Sequence, residues 1–74
     1  MNVNQFISKK LKELRTVKNM TQEELAKDLN ITQQQVARYE NNLRQFKPDF
    51  LFKIANYFEV PVSDFFPEAE ERKN

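Results

Sequence analysis

A chain of 74 residues is one domain, near the smallest size that folds without covalent or metal staples. It has no Cys and no His, which excludes disulfides, thiolate nucleophiles, imidazole bases and the usual soft-metal ligand sets, so neither an enzyme nor a cofactor is expected. The net charge of +1 is unevenly divided: residues 1–47 carry nine Lys/Arg against five Asp/Glu, and residues 48–74 carry three against six. A basic front and an acidic back suit nucleic-acid contact through the first part, although ordinary charge scatter gives the same split.

No apolar run approaches the roughly 20 residues that span a bilayer, and the start MNVNQF carries no apolar signal segment. A cytoplasmic protein with no membrane partner is expected. The absence of Gly, where average usage of about 7% predicts roughly five, rules out glycine-rich phosphate loops. It also hands any turn that needs a positive φ to Asn, the next best tolerated residue.

Strand signals are missing, whereas helical spacing runs throughout. Ile7, Leu11, Leu14 and Lys18 recur at helical intervals, with Phe6 and Val17 widening the apolar stripe of a first helix from about Asn4 to Lys18. Thr21-Gln22-Glu23-Glu24 is a capping box, flanked by Met20 and Leu25 as a hydrophobic staple. Eleven residues later Thr32-Gln33-Gln34-Gln35 repeats the box, and Ile31 with Val36 repeats the staple. Two starts so close together end the second helix near Leu29 and leave Asn30 to turn the chain in the left-handed conformation. A helix of about eight residues, a tight turn and another helix is the helix-turn-helix spacing.

The third helix should end near Asn41-Asn42, and a basic loop, Leu43–Lys47, follows. Pro48 suits the first position of a fourth helix, whose apolar face is Leu51, Ile54, Ala55 and Phe58. Pro61 ends it and opens a short fifth helix, Val62–Phe66. The expected architecture is an all-α, five-helix domain over residues 1–67, with a short acidic, disordered tail at 68–74.

From Phe6 to Phe66 the chain resembles the Cro/C1-type (xenobiotic-response-element) helix-turn-helix domains of phage repressors and bacterial regulators. MTQEELAKDLNITQQQVARYENN carries most of the resemblance, through TQEELA, the turn at Asn30 and the YE pair; VPVSDFF is similar to the family's last short helix. The chain departs from the family in having Asn30 and Asn42 where Gly is usual, a substitution that the left-handed backbone tolerates. The resemblance implies a lambda-repressor-like fold whose helices 2 and 3 form the motif. It also implies sequence-specific binding of double-stranded DNA by a transcriptional regulator, more often a repressor.

On that reading the recognition helix is Gln33–Asn41. Val36, Tyr39 and Glu40 share one face, which the resemblance turns inward, while Gln34, Ala37, Arg38 and Asn41 share the other. Gln33, Gln34, Ala37 and Arg38 are the candidate base readers. A Gln amide bonds adenine bidentately, Arg does the same to guanine or grips a phosphate, and Ala touches a thymine methyl. Without the resemblance, three consecutive Gln are also ordinary solvated helix formers. Gln22, Asn41, Arg44 and Lys47 are the candidate phosphate contacts. Lys9, Lys10 and Lys12 read as a solvated face from which direct contact is not expected.

The family's pattern further implies a partly buried, structural ion pair between Arg15 and Glu40. A homodimer on a two-fold operator is expected, with part of the C-terminal apolar excess (Phe58, Val60, Val62, Phe65, Phe66) as its contact; the same residues equally suit closure of the core. The competing function is a protein-interaction module, such as an antitoxin or an anti-repressor partner, using the same surface.

Overall fold

The computed structural model describes residues 2–67, so the acidic segment expected at 68–74 lies outside the described residues. Helices α1 (Val3–Val17), α2 (Gln22–Leu29), α3 (Gln33–Glu40) and α4 (Pro48–Phe58) follow one another, and a single 3-10 turn, Val62–Phe65, closes the described chain. The architecture is all-α. The fifth element is shorter and tighter than the expected helix, because Pro61 and the extended Phe66 leave room for one turn only.

Each helix start follows from residues beside it. Asn2 caps α1 by accepting from the Gln5 amide at 2.8 Å. At α2 the Glu24 amide donates to Thr21 Oγ1 at 3.0 Å and the Thr21 amide donates to Glu24 Oε1 at 2.9 Å. Thr32 and Gln35 repeat the exchange at α3, at 3.1 and 3.0 Å. Reciprocal bonds of this kind satisfy two of the orphan donors of a helix start, which steadies helices too short to persist alone.

The helix ends share one device. Asn19, Asn30, Asn42 and Glu59 all have φ between 56° and 61°. At each, the next amide reaches back five residues: Met20 to Arg15 O, Ile31 to Ala26 O, Leu43 to Arg38 O and Val60 to Ala55 O, at 2.8–3.1 Å. These are left-handed, Schellman-type ends made without glycine.

The stripes converge on a core of Ile7 and Leu11 from α1, Leu25, Ala26 and Leu29 from α2, and Val36 and Tyr39 from α3, closed by Leu51, Ile54, Ala55 and Phe58 from α4 and Phe65. Val17 departs from expectation. It is 74% exposed, since the last turn of α1 runs past the edge of the core. Phe58 and Phe65 are buried as well, so two of the five residues expected at a dimer contact are spent on the core, leaving Val60, Val62 and Phe66 partly covered.

Candidate nucleic-acid interface

Helix α3 has two unlike faces. Val36, Tyr39 and Glu40 are buried. Gln33, Gln34 and Arg38 are exposed and Ala37 is half-buried between them. The four candidate readers therefore project together from a helix whose back is fixed in the core, and the small Ala37 leaves the stripe low at its centre. The regular part of α3 ends at Glu40, with Asn41 as its cap and Asn42 as the left-handed residue beyond. Arg38 in the last turn also complements the partial negative charge of the helix end.

The Glu40 carboxylate is 1% exposed and is held by a fork of two bonds from Arg15, Nε to Oε2 at 2.6 Å and Nη2 to Oε1 at 3.0 Å. Arg15 Nη1 donates to the Met20 carbonyl at 2.7 Å, and Gln22 Nε2 donates to Glu40 Oε1 at 3.0 Å. One carboxylate thus joins α1, the start of α2 and the end of α3. Hydrogen bonding to Glu40 raises the Arg15 pKa above its ordinary value; burial opposes the shift and the Glu40 charge reinforces it.

The four candidate phosphate residues are placed differently from one another. Gln22, half-buried at the first position of α2, is engaged with Glu40, so its backbone amide and remaining side-chain N–H are what a phosphate would meet. Asn41 is exposed at the outer edge of α3. Arg44 lies over the Tyr39 ring at 5.2 Å from the centroid, an arrangement that steadies the guanidinium while its edge stays exposed. Lys47 is exposed at the start of α4, where its side chain makes no cap bond.

Asn4 organises this surface and was not legible as a functional residue. Its Nδ2 donates to Asn42 Oδ1 at 2.6 Å and to the Arg44 carbonyl at 3.1 Å, while its Oδ1 accepts from the Phe46 amide at 2.9 Å. The basic loop is therefore tied down on α1. On the far side, Lys53 Nζ donates to the Leu29 carbonyl and Tyr57 Oη donates to Asp28 Oδ2, fixing α4 against the end of α2. No helix among the described residues is long and apolar enough to cross a membrane.

Comparison with known proteins bears on the fold and the family. A sequence profile described as "Helix-turn-helix" matches residues 11–65. A protein of Methanocaldococcus jannaschii named an uncharacterized HTH-type transcriptional regulator is 39% identical over 57 residues, covering 77% of this chain and 86% of that protein. Similarly named proteins of Sinorhizobium medicae (40% identical, 74% of this chain, 40% of theirs) and Rickettsia conorii (30%, 93% and 55%) are longer, so this chain spans about half or less of each. Among solved structures, the transcription factor NHTF from Neisseria, called hypothetical, superposes with a TM-score of 0.82 at 18% identity, over 96% of this chain and 84% of that one. The BldD DNA-binding domain of S. venezulae gives 0.75 at 21%, over 86% and 96%. At such identities the likeness is one of fold.

Proposed function

We propose that this chain, which belongs to the Cro/C1-type helix-turn-helix family of transcriptional regulators and is not an enzyme, binds double-stranded DNA sequence-specifically and acts as a repressor. The observation that carries the reading is the two-faced α3. Gln33, Gln34, Ala37 and Arg38 stand free on one side, while Val36, Tyr39 and Glu40 anchor the other. In the major groove, Gln33 and Gln34 at the helix start read adenines, Ala37 meets a thymine methyl and Arg38 pairs with guanine. The start of α2 with Gln22, then Asn41, Arg44 and Lys47, grip the backbone on either side and set the register. Occupation of the operator in the cytoplasm then excludes other proteins from the same DNA.

A domain this small meets few base pairs, so two copies on a two-fold operator, with half-sites about 34 Å apart, supply the selectivity. Val60, Val62 and Phe66, rather than the buried Phe58 and Phe65, are the apolar residues of the C-terminal segment left for that contact.

Selection of bound duplexes from a random pool, followed by affinity measurements across salt concentrations, tests the reading. A palindromic consensus is expected, with log K falling by about 0.9 per neutralised phosphate for each unit of log[salt]. Arg38→Ala should cost about 1–3 kcal/mol and relax one position of the consensus. No consensus and an affinity flat in salt would instead favour a protein partner on this face.

A further inference from the structure

The exposed surface of α3 continues onto α1. Gln5, Ser8, Lys9 and Lys12, at i, i+3, i+4 and i+7, form one wall of a cleft of about 310 Å³ whose other wall is Glu40, Asn41 and Asn42. Its charge is unbalanced. Lys10 lies off this stripe and pairs with Glu13 at 3.7 Å, whereas Lys9 and Lys12 are exposed and form no ion pair among the described residues. The carboxylate in the cleft wall, Glu40, is already matched by Arg15 and Gln22. Ser8, on the α1 wall, is buried, and its hydroxyl has no hydrogen-bond partner among the described residues.

The cleft also keeps a fixed relation to the face already described. Asn41 belongs both to its wall and to the outward edge of α3. Asn4, one turn before Ser8, holds the basic loop against the same helix.

We propose that this cleft is a further phosphate site, occupied by a backbone phosphate of the duplex beyond the bases that α3 reads, with Lys9 and Lys12 supplying charge and Asn41 supplying a directed donor. Lys9 and Lys12 thus pass from a solvated face to the binding surface, whereas Lys10 does not. The proposal rests on the DNA-binding reading above.

The test compares the salt dependence of duplex binding for the wild type, for Lys9→Gln/Lys12→Gln, and for Lys10→Gln/Lys18→Gln as a charge-matched control. The first variant is expected to lose about 0.9 from the slope, equally on selected and random duplexes, and the control to keep the wild-type slope. Two variants with indistinguishable slopes would overturn the site while leaving the reading of α3 intact. A wild type flat in salt would sink both. Amide shifts at Ser8–Lys12 should follow addition of duplex; shifts with inorganic phosphate alone, the slope being unaltered, would make this a free-anion site and overturn the DNA assignment.

Discussion

Asn4 Nδ2 stands 2.6 Å from Asn42 Oδ1, so the second residue of α1 is bonded to the residue that turns the chain out of α3. With its bonds to Arg44 and Phe46, this one carboxamide sets where the loop cations sit relative to α3. Asn4→Ala removes three partly solvated bonds and should cost about 1–2 kcal/mol in urea denaturation. Duplex affinity should fall further than stability alone requires, because Arg44 and Lys47 lose their placement. Equal affinity for the variant and the parent would show that the loop needs no such tether.

The Arg15–Glu40 pair makes a sharper prediction. Glu40→Gln leaves the Arg15 guanidinium, whose side chain is 12% exposed, without its counter-charge, at a cost of about 3 kcal/mol. For a domain of this size that lowers Tm by roughly 10–20 °C. Arg15→Lys keeps a charge but not the fork, so its loss should be smaller. A melting midpoint unmoved by Glu40→Gln would remove the pair from the account of stability.

Glu59 occupies the left-handed region without the short side chain that makes Asn tolerable there. Glu59→Asn should therefore stabilise the fold by about 0.5–1 kcal/mol, and Asn30→Ala should destabilise it by about 1 kcal/mol. Urea midpoints read both. Asn30 turns α2 into α3 at φ 61°, so an Asn30→Ala protein as stable as the parent would contradict the geometry.

Alkaline pH probes the α2–α4 contact. The hydrogen bond to Asp28, then burial and the Asp28 charge, push the Tyr57 hydroxyl up to about 12. Because the folded value lies above the unfolded value of about 10, the folded state holds the proton more tightly. The stabilisation is complete below pH 10 and is lost as the pH rises from there toward 12. Tyr57→Phe should lower stability at neutral pH, abolish the late phenolate step seen by ultraviolet absorbance, and flatten the alkaline decline. A parent whose Tyr57 ionises near pH 10 would show that the Asp28 bond is absent in solution.

What could be read from the residues, and what could not, divides by distance along the chain. The starts of α2 and α3 were legible because each is written by two side chains three positions apart, Thr21 with Glu24 and Thr32 with Gln35. The turns at Asn30 and Asn42 were legible because Asn is the natural occupant of left-handed backbone in a chain without Gly. Glu59 gave no such signal; packing of Val60 and the closing 3-10 turn overrides its local preference. Val17 keeps the period of α1 but not its burial, since periodicity does not report where the neighbouring helix stops. The bonds from Asn4 span 38 to 42 residues and have no local trace. Arg15 and Glu40 were paired by family resemblance, because spacing alone names no partner 25 residues away.

Within α3, the residues that hold the helix and the residues that face outward are different residues. Thr32 and Gln35 start it, and Val36, Tyr39 and Glu40 seat it, whereas Gln33, Gln34 and Arg38 carry almost no packing. On the proposed reading of α3, exchanging those three rewrites what the protein recognises at little thermodynamic expense. Descendants of this chain can change targets by single steps without first becoming more robust, and an engineer can treat the three positions as a keyboard mounted on an unchanged frame.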